Sequence, residues 1–173
     1  MNWKEAIDSE DFQQFIEACR DYCTLLENRT KSSSLLQVQK ALLNLYSKGL
    51  NLQTIDLVSN EDFQEKADND LFESVKQQTA ELIGKQQYYR SIFDPTENVF
   101  GSEKPVIGDL LDDIMDIYKD LKHQLMIFDL NTEDSMESAI WSMKSDFWFH
   151  WSHHAIDAMR TIHYIIEKTE KHK

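Results

Sequence analysis

Carboxylates and imidazoles concentrate between Gly108 and His154. Asp109, Asp113, Asp116 and Asp120 fall at i, i+4, i+7 and i+11, a spacing that sets all four carboxylates along one side of a helix. Further on, His150 and His154 stand at i, i+4 and share a face of a second helix. Oxygen and imidazole donors in this arrangement suit a divalent metal, Mn, Fe or Zn, better than Ca, because imidazole is too soft for a calcium cage. The same groups can also satisfy one another or pair with Arg and Lys. Asp109, Asp112 and Asp113 occupy first-turn positions, where the helix dipole favours negative charge. Asp146 stands four residues before His150, and Asp157 four after His153, so pairs within one helix can serve both rings. Repulsion along the aspartate stripe, at ~0.2–0.5 kcal/mol for each like-charge pair, comes to about 1–2.5 kcal/mol, and charge alone does not demand a cation.

The elements that must position these groups are helical. Phe12, Phe15, Ile16, Cys19, Tyr22, Cys23 and Leu26 recur every three or four residues and predict a helix over about Asp11 to Arg29, with Trp3, Ala6 and Ile7 as a backward extension or a separate turn. Leu35, Val38, Leu42, Leu45 and Tyr46 begin a second helix, expected to end at Gly49. Ser59 to Asp62 has the form of a capping box for a third helical region through Phe63, Ala67, Leu71, Val75, Leu82 and Tyr89, either one kinked helix or two. The Phe93-Asp94-Pro95 sequence closes it, and an irregular loop over about 94–106 follows. It is read as a solvated connection, with a lid or binding loop as the alternative. The aspartate helix carries Leu110, Ile114, Ile117, Leu121, Leu125 and Phe128 as its buried stripe, with Gly108 as its cap. A last helix, capped by Asp134 with Glu137, buries Ile140, Phe147, Trp151, Ala155, Ala158, Ile162 and Ile165 and runs to about Lys168. Trp141, Trp148 and Trp151, at helical spacing, are expected to pack rather than to stack on a ligand.

Four Gly and two Pro in 173 residues are too few for a strand-and-turn architecture. The expectation is an all-α, single-domain bundle of five or six helices, mostly antiparallel. A net charge of −13 repels phosphate backbones and anionic lipid, so neither nucleic acid nor membrane is an expected partner; an acidic helical surface suits a basic partner protein. The first residues lack the apolar core of a secretory signal, and no stretch reaches the ~20 apolar residues of a membrane span, so a cytoplasmic location is expected. Cys19 and Cys23 have no further cysteines at metal-site spacing and are read as core. There is no His-Glu-x-x-His helix, phosphate-cradling glycine loop or Gly-x-Ser-x-Gly elbow. The Glu-x-x-His pairs of di-iron bundles are also missing.

Tyr22-Cys23 with Glu27, Leu45-Tyr46, Phe93-Asp94-Pro95, the run from Asp112 to Lys122, and His150-Trp151-Ser152-His153-His154-Ala155 together resemble the bacterial family called domain of unknown function 5063, along the whole chain. The resemblance implies an all-helical bacterial protein and carries no activity. Taken with the residue pattern, it adds Glu27 to Asp113, Asp116, Asp120, His150 and His154 as candidate metal ligands around one polar seam. The leading expectation is a binding or regulatory module without catalysis of its own. The alternative is a metal-dependent hydrolase of a small phosphorylated or amide substrate, in which Asp113, Asp116, His150 and His154 hold the ion and Glu27 or Asp120 is the general base.

Overall fold

The structure, a computed structural model, describes residues 2–59, 61, 63, 68–92, 96 and 104–171. Its helices are α1 (Trp3–Ile7), α2 (Glu10–Glu27), α3 (Leu35–Asn51), α4 (Asn69–Ile83), α5 (Leu110–Asp129), α6 (Glu133–Asp146) and α7 (Ser152–Glu170). A single apolar core gathers side chains from all of them. Phe12, Phe15, Ile16, Cys19, Tyr22, Cys23 and Leu26 of α2 are all buried, as their spacing requires, and so are Leu110, Ile114, Ile117, Leu121 and Leu125 of α5. Both cysteine thiols are free and buried; desolvation by burial and then the negative charge of Glu27 push Cys23 up to about 12, against the opposing charge of Lys122, which makes it a packing residue and not a nucleophile.

Several boundaries fall elsewhere than the sequence suggested. Trp3–Ile7 is a separate helix, capped by Asn2 and Glu5 in a capping box. The second helix runs past Gly49 to Asn51, because Gly49 serves close approach and not termination: a Cβ there would lie 2.6 Å from the Phe147 ring. Ser59 starts no helix. Its backbone N–H is held by the Glu137 carboxylate at 2.8 Å, and α4 begins at Asn69 with Asp68 as its cap; Asn60, Asp62 and Ala67 lie outside the described residues. The 52–59 segment is irregular, inserting Leu52 and Ile55 into the core.

The largest departure is a small antiparallel sheet, β1 (Tyr88–Ser91) against β2 (Val106–Asp109), with Tyr89 opposite Gly108. Tyr89 was expected on the third helix. Gly84, at φ 63, instead ends α4, a 3-10 turn over Gly84–Gln86 follows, and the tyrosine-rich segment beyond takes the extended conformation that aromatic residues favour. Val106, expected as the end of the loop, and Ile107 to Asp109 are therefore strand, and Asp109, not Gly108, caps α5, accepting from the backbone of Leu111 and Asp112. Phe93, expected at the close of the third helical region, and Asp94, Pro95 and Gly101 of the expected 94–106 loop lie outside the described residues.

The last helix is continuous but not uniform. Thr132 and Ser135 form its capping box, in place of Asp134 and Glu137, and a π turn over Phe147–Trp151 joins α6 to α7. Met143, Phe147, Trp151 and Ala155 are all buried, three successive steps of four residues. Three α-helical turns accommodate about 10.8 residues, roughly one fewer than that span, and a π-bulge supplies the extra residue. Of the three tryptophans expected to pack, only Trp151 is enclosed; Trp141 and Trp148 are 40% and 49% exposed. With α6, the π turn and α7 taken as one rod, the described residues form six helical rods, as the sequence implied.

Gly49→Ala opposes two effects. Helix propensity alone would stabilise by about 1 kcal/mol, whereas displacing the enclosed Phe147 ring costs about 1–3 kcal/mol. The expected outcome in urea unfolding is a net loss of stability; a higher midpoint than wild type would contradict the packing described for this contact.

Candidate metal centre

The α5 carboxylates and the imidazoles around the π turn meet across one helix seam. His154, on the first turn of α7, directs Nδ1 to Asp113 Oδ1 at 2.8 Å. His150, at the end of the π turn, directs Nδ1 to Asp120 Oδ2 at 2.6 Å. Asp116 lies between the two aspartates on the same side of α5, its Oδ2 3.8 Å from His154 Nε2. One donor atom from each of Asp116, His150 and His154 lies within 4.8 Å of the other two, and the two rings stand edge to face with centroids 5.1 Å apart.

The hydrogen bonds decide which nitrogens are available. An ionised carboxylate only accepts, so each Nδ1 carries the proton in its bond to aspartate, and in the neutral ring Nε2 keeps the lone pair. Both imidazoles are thus fixed in orientation and tautomer by a carboxylate behind them, the arrangement that recurs behind metal-bound histidine. Two imidazole nitrogens and one carboxylate oxygen form a donor set for a first-row transition metal, with coordination positions left open. Ligand distances of ~2.0–2.2 Å bring three donors to roughly 3–3.5 Å of one another, so ion binding requires these side chains to close in by about an ångström.

Burial grades the cluster. The side chains of Asp113, Asp116, Asp120, His154 and His150 are 9%, 34%, 23%, 26% and 50% exposed. Asp113 is the innermost, and a carboxylate this enclosed needs several donors. Beyond His154 it has Tyr89 Oη, which donates to Asp113 Oδ2 at 2.6 Å. The Asp113 hydrogen bond raises His154 above the ordinary imidazole range, against the opposing effect of burial, with Asp113, Asp116 and Asp112 adding to the rise. Asp112 and Asp157 are held above the usual carboxylate range, chiefly by burial and then by neighbouring carboxylates.

The β-hairpin buttresses this seam. Tyr89 reaches Asp113, and Ser91 Oγ donates to Asp157 Oδ1 at 3.3 Å. Tyr89 can cross the hairpin only because its register partner is glycine: a Cβ on Gly108 would lie 2.3 Å from the Tyr89 ring. Tyr89, Ser91 and Gly108 escaped the sequence reading because their roles depend on strand pairing. Gln124 was missed as well; it donates to Asp146 Oδ2 at 3.4 Å, and its own buried Oε1 has no partner.

Glu27 does not reach this seam. Its Oε1 accepts from Tyr118 Oη at 2.9 Å and from Lys122 Nζ at 2.7 Å, two side chains on the side of α5 away from Asp113, Asp116 and Asp120, so the six-residue seam is reduced to five. The reason is the helical wheel: Tyr118 lies roughly 140° round from Asp113 at about 100° per residue. Asp109 is spent on capping α5 and on Gln87. Asp146 does not supply the hydrogen bond to His150 Nδ1, which goes across the seam to Asp120.

A family model described as a domain of unknown function (DUF5063) matches residues 6–168, and the chain belongs to that family. The crystal structure of protein BF1032 from Bacteroides fragilis superposes with a TM-score of 0.75, at 20% identity, over 92% of this chain and 94% of that one. At that identity the likeness is one of fold. No curated protein matches. Among the described residues no helix is long and apolar enough to cross a membrane.

Asp146 offers a test of the seam's electrostatics. Burial, then the nearby Asp120 charge, raise its carboxyl to about 6 from an ordinary 3.8, with His150 and Gln124 opposing. A folded-state value above the unfolded one means that the favourable contribution is complete below about pH 3.8 and is lost as pH rises to about 6 and beyond. Asp146→Asn should therefore melt a few degrees above wild type at neutral pH, and that advantage should shrink as the pH approaches 4. An advantage that grows on acidification would contradict the assignment.

Proposed function

We propose that this member of the DUF5063 family is a metal-binding module that holds one divalent transition ion, Mn, Fe or Zn, through Asp116, His150 and His154, with Asp113 and Asp120 orienting the two imidazoles. The observation that carries the reading is that both histidines have Nδ1 tied to a carboxylate. A seam-filling imidazole can carry one such bond as well; here the two bonds are aimed so that the remaining donor atoms approach one another and a third carboxylate, within 4.8 Å, which matches the needs of a metal. Three protein donors leave positions for water or for a group from a partner. Because His150 is half exposed and Asp116 a third exposed, an incoming donor side chain or small anion can reach the ion from solvent.

A binding or regulatory role is favoured over the hydrolase alternative by the state of the two candidate bases. Glu27 is engaged by Tyr118 and Lys122, and Asp120 by His150, so neither is placed to take a proton from a metal-bound water. Bound metal would also reduce the density of negative charge on α5, so occupancy would alter which partners this acidic face accepts.

The test is calorimetric titration of tag-free protein with Mn(II), Fe(II) and Zn(II), alongside thermal melts with and without EDTA. One ion per chain is expected, with stabilisation of about 2.7 kcal/mol at a hundredfold excess over Kd. Asp116→Ala and His154→Ala should abolish binding, and Asp113→Asn should weaken it about 10–100-fold. Glu27→Gln should leave it unchanged. Because the ion needs neutral imidazole, affinity should fall as pH drops through the raised His154 value. Failure of all three ions to bind, or equal loss in Glu27→Gln and His154→Ala, would overturn the proposal.

A further inference from the structure

Away from the metal centre, α3 presents Leu36, Leu43 and Leu50 to solvent, 45%, 61% and 48% exposed. They are spaced seven residues apart and so lie along one line of the helix, drifting only ~20° per step. The line borders the seam with α7. Gln39 Nε2 donates to the Met159 carbonyl at 3.0 Å, and the Tyr46 ring packs on Phe147 at 5.5 Å; Leu43 and Leu50 follow these two residues by one turn each. Ile156, one turn before Met159 on α7 and 47% exposed, and Trp148, 49% exposed and packed edge-on to Phe147, extend the apolar surface beyond the helix itself.

We propose that this face is a two-fold interface between copies of the chain, with α3 running antiparallel to α3 of the second copy. The spacing 36, 43, 50 is its own mirror image about Leu43. An antiparallel two-fold therefore sets Leu43 on Leu43 and Leu36 on Leu50, so that one helix supplies both halves of an isologous contact. Charge selects the same face. Each copy carries a net −13, yet α3 contains Lys40 and Lys48 and no acidic residue. Two anionic chains approach with least repulsion where each carries no carboxylate, and the interiors of homodimer interfaces are apolar and depleted in charge. A stable dimer buries about 800 Å² on each partner, more than a line of three leucines supplies, so Ile156 and Trp148 belong to the footprint. Lys48 is drawn inward to Gln14 of its own copy, leaving Lys40 as the exposed charge of α3 to be accommodated at the rim.

Sedimentation velocity of wild type over a wide concentration range should give a species of twice the 20.4 kDa chain mass. Leu43→Glu should convert it to monomer with an unchanged helical circular dichroism spectrum, while Ile107→Glu, at a β2 position 78% exposed, should remain dimeric. If Leu43→Glu fails to fold, oxidative crosslinking decides: Leu43→Cys should crosslink to itself, and Leu36→Cys only when mixed with Leu50→Cys. Monomeric wild type at every concentration, a dimer unaffected by Leu43→Glu, or self-crosslinking of Leu36→Cys without Leu43→Cys would overturn the proposal.

Discussion

The hydrogen bond between Asp113 and His154 is the constraint on which the rest of the arrangement depends. The Asp113 side chain is 9% exposed, and a carboxylate so enclosed survives only if its oxygens are satisfied. One oxygen takes the His154 Nδ1 proton and the other the Tyr89 hydroxyl. That single requirement ties three parts of the fold together: the β-hairpin through Tyr89, α5 through Asp113 itself, and α7 through His154. Moving any of them away would strand charge in a poorly solvated place. The seam is thus held by directional bonds in addition to apolar packing, and the direction of those bonds leaves both Nε2 atoms as the available donors.

A second line of dependence runs through the apolar side. Phe147 opens the π turn and is fully enclosed, with its ring against Gly49, Tyr46 and Trp151. The close approach of α3 at a glycine sets how deep that ring sits, and the π turn then carries the chain from Phe147 to Trp151 with both rings inside and His150 turned toward α5. π-bulges are found preferentially at functional sites because they redirect side chains without ending a helix. Here the bulge serves the core and the polar seam together: it absorbs the surplus residue in the apolar pattern and delivers the second histidine.

Much of this was legible in the residue pattern because amphipathic helices announce themselves over many turns. The stripes of α2 and α5 and the burial of Ile140, Ala158, Ile162 and Ile165 follow from 3.6-residue periodicity, which also sets the aspartates on one side of α5 but leaves open which helix they meet. What periodicity does not carry was missed. Strands β1 and β2 are four residues each, too short for alternation to register, and Tyr89 gained its role from a partner far along the chain. Glu27 was assigned by its edge position on α2, yet which side of α5 it meets depends on how the two helices are rotated about their axes, which sequence spacing leaves free. The π turn left a readable trace, three consecutive four-residue steps from Met143 to Ala155, that a uniform helix cannot keep on one face.

In the proposed centre Asp116, His150 and His154 share one ion while Asp113 and Asp120 stand behind them. Anomalous diffraction from crystals soaked in Mn(II) or Zn(II) tests it most directly. The expected result is one peak within ~2.0–2.3 Å of an Asp116 oxygen and of Nε2 on both histidines, with each Nδ1 still bonded to its aspartate. A peak on Nδ1, an ion bound elsewhere on the acidic surface, or saturating metal with no density at this seam would contradict it.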